Sequence, residues 1–236
     1  MHANAPTLPA LQLGLPPEGL RARSHRVRLR REFIGAVCLA TASTASAYTA
    51  LLNPASPQTL YLQIGAGSFT NCYTCNPQGT PGNNSTVNTV STTVVASAVG
   101  NGIAQPMTTD SAVTKSYWDN FTYCTVPGQL YIGGFYRTTS NTNTVAQVVA
   151  TVPAALTDAA GDRIPFSQIK WASSGIGDAG AEPFPAGTFV NGGTQNVGSM
   201  SSNTWNESCW TFTYLNSKVP AAGTYTGVVT YTMSAP

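Results

Sequence analysis

Beyond residue 59 the chain runs in short stretches of alternating apolar and polar residues, separated by Gly, Pro, Asn and Asp. A two-residue period puts successive side chains on opposite faces of a strand, and the separators supply turns. The clearest stretch is the C-terminal GTYTGVVTYTM, residues 223–233. There Tyr225, Val229, Tyr231 and Met233 share one face with Gly227, while Thr224, Thr226, Val228, Thr230 and Thr232 share the other. Such β-branched and aromatic residues suit a half-buried pleated surface. The same reading predicts strands over 60–64, 87–99, 117–124, 129–138, 144–152, 164–172, 187–190 and 207–215. Pro-Gly at 127–128, Gly-Asp at 161–162 and Asn-Gly-Gly at 191–193 punctuate them, and helix signals are nearly absent after Ala47. The expected fold is all-β: an antiparallel β-sandwich of about eight strands, tied by disulfides.

The first 47 residues follow another pattern. Six of the eleven basic residues lie between Arg21 and Arg31, an apolar run follows from Phe33 to Ala42, and Ala45-Ser46-Ala47 closes the segment. A basic region, a short apolar region and an A-x-A site in that order predict a cleaved export signal, cut between Ala47 and Tyr48. The apolar run is too short to span a bilayer as a helix. Within it, Arg30-Arg31-Glu32-Phe33-Ile34 resembles a twin-arginine signal, which implies export in the folded state; ordinary secretion is the other route. The expected organisation is an N-terminal extension and signal over 1–47, a linker over 48–59 and one β-sandwich domain over 60–236.

Cleavage changes the charge. Removing the first 47 of 236 residues leaves five basic side chains (Lys115, Arg137, Arg163, Lys170, Lys218) and seven acidic ones. The formal charge moves from +2 to −2, and both histidines, His2 and His25, leave with the leader. No basic patch remains for a nucleic-acid backbone, and no membrane span is expected. Ser-His chemistry lacks its base.

Cys72, Cys75, Cys124 and Cys209 remain, an even number that reads as two disulfides with three connectivities open. In the 121–124 and 209–214 runs each cysteine sits opposite the aromatic face, which with the aromatics inward predicts a strand end or the outer, Thr-rich face for both. Cys124–Cys209 is therefore the preferred long-range bridge, leaving Cys72 with Cys75. The Cys72-x-x-Cys75 spacing also suits redox exchange or half a zinc site, but no helix follows it and no histidine is left to complete a metal shell. No cofactor or metal is expected.

Two carboxylate pairs, Asp158 with Asp162 and Asp178 with Glu182, have the residue types of a glycosidase, yet both lie in Gly/Ala-rich turns where Asp is a good turn former. Trp118-Asp119-Asn120 and Trp205-Asn206-Glu207 join flat rings to amides and carboxylates, as a sugar-binding surface does, which makes Trp118 and Trp205 the candidate sugar-contact aromatics.

The ending VPAAGTYTGVVTYTMSAP, residues 219–236, resembles the last strand of bacterial fimbrial subunits and the related spore-coat-U-like secreted domains. That resemblance implies an immunoglobulin-like sandwich on or outside the cell and nothing catalytic. The expected role is accordingly structural or adhesive and non-enzymatic, in the periplasm, at the cell surface or outside. The expected partners are further copies, other surface proteins or a glycan. A carbohydrate-binding module is the alternative, and a secreted hydrolase the third choice.

Overall fold

The computed structural model describes residues 50–70, 78–139, 144–177 and 180–236. The leader, the Ala47–Tyr48 cleavage point, Cys72, Cys75 and Asp178 lie outside these residues. From the N-terminal side the strands are β1 (Ala50–Leu51), β2 (Thr59–Ile64), β3 (Phe69–Thr70), β4 (Thr80–Pro81) and β5 (Val90–Ser91). Next come β6 (Gln105–Pro106), β7 (Thr108–Thr109), β8 (Leu130–Arg137), β9 (Val145–Val152), β10 (Ala155–Thr157) and β11 (Arg163–Pro165). The chain ends with β12 (Ile169–Ser174), β13 (Gly187–Thr188), β14 (Gly193–Ser201), β15 (Thr204–Tyr214) and β16 (Thr230–Ser234).

Two antiparallel sheets carry the fold. The larger has the order β13-β12-β15-β8-β2, with β1 and β6 also paired to β15; the smaller is β14-β9-β16. Alternation decides what lies between them. On β9, Ala146, Val148, Ala150 and Val152 point inward, while Val145, Gln147 and Thr151 face solvent. They meet Ile132 and Tyr136 of β8, Trp171 of β12, Trp210, Phe212 and Tyr214 of β15, and Val197 and Met200 of β14 in one apolar core. The expected all-β sandwich with packed antiparallel sheets is the observed one, and the face shared by Tyr225, Val229, Tyr231 and Met233 packs against this core.

β8 departs from simple alternation, because every residue of LYIGGFYR is buried. Its even-numbered side chains enter the main core. Tyr131 and Phe135 enter two smaller clusters on the opposite face of the sheet, under the 111–124 segment and Phe69. A strand covered on both sides has no polar face to show. The paired glycines are part of this arrangement. A Cβ on Gly134 would lie 2.0 Å from the backbone oxygen of Tyr61 on β2, and one on Gly133 would lie 2.5 Å from the Tyr131 hydroxyl.

Elsewhere the chain differs from the predicted elements. Within 87–99 only Val90–Ser91 is a strand, paired with β7, and Ala96–Ala98 is a 3-10 turn. The 117–124 stretch turns back on itself: Asn120 has φ 63°, the Asp119 carboxylate accepts the Phe121 N–H at 2.9 Å, and only an isolated Lys115–Thr122 bridge survives. Asp and Asn outweigh the aromatic alternation there because their side chains stabilise turns. The 164–172 stretch is split by a 3-10 turn at Phe166–Gln168. β14 was not predicted: only Val197 and Met200 of its side chains are well buried, and a bulge between Asn196 and Gly198 breaks its period. The described part of the expected linker is tied into the sheet, with Ala50 opposite Trp205 and the Leu52 N–H donating to Asn203 O at 2.8 Å.

Candidate functional site

The two aromatic and acidic stretches singled out in the sequence, 87 residues apart, converge on the covered face of the large sheet. Odd-numbered positions of β15 point to that face, so Trp205, Glu207 and Cys209 line up along it. Trp118 arrives from the turn that covers the strand, and its ring stacks on Trp205 with centroids 6.0 Å apart. Phe69 (5.0 Å), Phe135 (5.9 Å) and Tyr61 (6.1 Å) complete the ring cluster around Trp205. Trp118 is 5% exposed and Trp205 4% exposed. Neither offers the open face on which a sugar ring stacks, because each is covered by the other and by its neighbours.

Glu207 is the polar centre of this face. It sits opposite Gly133 in the β15–β8 register, and the missing side chain there lets the Tyr131 ring fold across toward it. Its Oε2 accepts from the Tyr131 hydroxyl at 2.6 Å and from Trp205 Nε1 at 2.8 Å. The Ser116 hydroxyl also bonds this carboxylate, and its oxygen accepts the Trp118 N–H at 3.1 Å, which locks the covering turn to the strand. Burial pushes the Glu207 carboxyl above the ordinary carboxylate range; the three donors oppose that shift and the Asp119 charge adds to it. Burial, and next the Glu207 charge, push the Tyr131 phenol well up, so Tyr131 stays a donor. Tyr123 adds a bond from its hydroxyl to the Glu207 carbonyl at 3.0 Å. The aromatic alternation of 205–214 marks β15 in the sequence. The partners of Glu207 were not legible there, and the one signal for them was the pair of glycines inside a strand.

Cys124 and Cys209 form the expected bridge, with Cα atoms 5.6 Å apart and a sequence separation of 85. One expectation about them is corrected. They do not lie on an outer face: Cys124 is 1% exposed and Cys209 0%, in a cluster with Tyr123 and Tyr131, because the 111–124 cover lies over that side of β15.

The remaining candidates resolve into turns and caps. The Asp158 carboxylate accepts the N–H groups of Ala160 (3.0 Å) and Asp162 (2.8 Å), closing the loop between β10 and β11. Glu182 accepts the Ser208 hydroxyl at 2.8 Å. Arg137 is buried; it lies 4.7 Å over the Phe135 ring and donates to the Gln78 carbonyl, while its Nε has no acceptor among the described residues and burial lowers its pKa. Among the described residues no cluster of His, Cys, Asp and Glu could hold a metal ion, and no helix is long and apolar enough to cross a membrane.

Two surfaces are open among the described residues. A cleft of about 500 Å³ lies beside β2, lined by Leu60, Tyr61, Leu62, Pro81, Gly82 and the amides Asn83 and Asn84. The second is the outer face of the small sheet, whose register sets side chains in rows across the strands. These run Thr194–Thr151–Thr230, Asn196–Val149–Thr232, Ser199–Gln147–Ser234 and Ser201–Val145. No residue in these rows carries a charge. Comparison with known proteins finds no matching family model, no matching curated protein and no matching solved structure.

Proposed function

We propose that the chain is an exported, non-enzymatic protein with a structural or adhesive role at or beyond the cell surface, built on an immunoglobulin-like sandwich. The observation that carries this reading is the uncharged outer face of β14–β9–β16, rows of hydroxyl, amide and methyl groups set at strand spacing. A face without charge resists association poorly and can meet another surface without stripping water from ions. The Glu207 centre supports the same reading: its carboxylate is enclosed by three internal donors and fixes the cover on the sheet. The leader and the −2 charge that it leaves behind are consistent with a secreted chain.

The test is made on cells that produce the protein. Fractionation is expected to place it outside the cytoplasm with Tyr48 as its first residue, and a strain lacking it is expected to lose cohesion or attachment. Replacing Arg30 and Arg31 with Lys blocks export if the folded route is used and leaves it intact otherwise. A mature protein retained in the cytoplasm overturns the reading. Carbohydrate binding is a second reading on one observation, the cleft beside β2 with its two amides, and a glycan array probed with wild type and Asn83→Ala tests it.

A further inference from the structure

We propose that two copies of this chain pair antiparallel along β16, joining their small sheets into one six-stranded sheet. The inference rests on the structural role proposed above and names the partner.

Sheet edges invite pairing, and proteins usually blunt them with charge, proline, bulges, short strands or a covering loop. The other edges here carry such guards. β13 is two residues long, and β2 faces the Pro81–Asn84 segment across the cleft. β14 is bulged, and its Ser199 N–H donates to Pro183 O at 3.1 Å in a neighbouring loop. β16 differs. Among the described residues its one strand partner is β9, and its five residues, TYTMS, include no charge and no proline.

The side chains fit a second β16 in one register. Antiparallel pairing of all five residues centres on Thr232, sets Thr230 opposite Ser234 of the second copy and Tyr231 opposite its Met233. The hydroxyl residues then share the outer face. Tyr231 and Met233, which pack on the core, share the inner one. Val228, 71% exposed, falls opposite Pro236 of the second copy, and Val229 falls opposite Ala235. The uncharged rows continue across the two-fold axis, so no like charges meet. Backbone hydrogen bonds would join any extended strand to this edge. The apolar and hydroxyl matches favour a copy of the same chain over a charged peptide.

Sedimentation equilibrium on protein purified from producing cells is the test. Wild type is expected to move reversibly from monomer to dimer as concentration rises. Thr232→Lys puts two ammonium groups directly opposite each other and is expected to weaken the dimer at least tenfold. Thr232 is exposed, so an unchanged melting curve confirms that the variant folds. Mixing Thr232→Lys with Thr232→Glu restores association as a heterodimer. Wild type that stays monomeric at millimolar concentration overturns the proposal, and so does a dimer indifferent to Thr232→Lys. A monomer found on the cell surface would remove this pairing and leave the structural role standing; a dimer confined to the cytoplasm would do the reverse.

Discussion

Replacing both bridge cysteines with alanine should cost about 4.5 kcal/mol, and the loss should fall first on one layer of the molecule. The figure follows from the 85-residue separation of Cys124 and Cys209. Closing a loop of that length removes chain entropy from the unfolded state worth about 4.5 kcal/mol at room temperature, before native-state strain is subtracted. For a chain of this size each kcal/mol moves the melting temperature by about 2–4 °C, so a drop of about 9–18 °C is expected. Urea unfolding gives the free energy directly. The slope m should also rise, since an unfolded chain without the cross-link exposes more surface. Hydrogen exchange locates the effect. The amides of Tyr123 and Cys124, both donating to Thr114 O at 2.8 and 3.0 Å, should lose protection, while β9 and β14 keep theirs until global unfolding. A loss below about 1 kcal/mol, or protection lost evenly over the whole sandwich, would refute the argument that the bridge pins the cover to β15.

The fold raises the Glu207 carboxyl, so the folded state holds that proton more tightly than the unfolded chain does; stability from that proton is complete below the ordinary carboxylate range and declines as pH rises through the folded value. Glu207→Gln, which cannot ionise, should therefore gain a few degrees in melting temperature on wild type between pH 4 and 8. Parallel melting curves for the two proteins would count against a raised carboxyl. Gly134→Ala should destabilise by more than the usual 1–3 kcal/mol of overpacking, because its Cβ meets the backbone of β2 rather than a side chain that can swing away. Gly128→Ala, at an exposed glycine with nothing closer than 3.8 Å, is the control and should stay within about 0.5 kcal/mol in urea titrations.

Strands that bury one face and show the other, such as β9 and the 209–214 part of β15, were legible because a period of two is all that such a surface requires. β8 was found by its apolar density, though its double burial was not, since a sequence names no covering layer. β14 escaped because its solvent face is Thr, Asn and Ser, its bulge resets the count, and few of its side chains are apolar. The 117–124 turn misled in the opposite direction: Phe121 and Tyr123 alternate as strand residues do, but Phe121 is exposed, while Tyr123 and Trp118 are buried against the rings of Tyr131 and Trp205. Trp118 and Trp205 were singled out as candidate sugar-contact aromatics, and the fold stacks one on the other. Their pairing is one of packing, and exposure is a tertiary property that residue type alone does not carry. The Glu207 network needed the β15–β8 register, which brings Gly133 and Glu207 face to face from positions 74 residues apart.

The burial of the two bridge sulfurs fixes an order of events. Thiol oxidation proceeds by contact between a catalyst or small disulfide and an accessible thiolate. In the finished molecule Cys209 is fully enclosed and Cys124 almost so. The bond must therefore form while the 111–124 cover is still open, or during an excursion that lifts it. Cys124 leaves the ribosome 85 residues ahead of Cys209, so this bond cannot form until β15 exists. A chain exported unfolded meets the oxidant with both thiols bare and closes the cover over a finished bond. A chain that crossed already folded would bring two sealed thiols into the oxidising compartment, and its maturation would then wait on the opening of one loop.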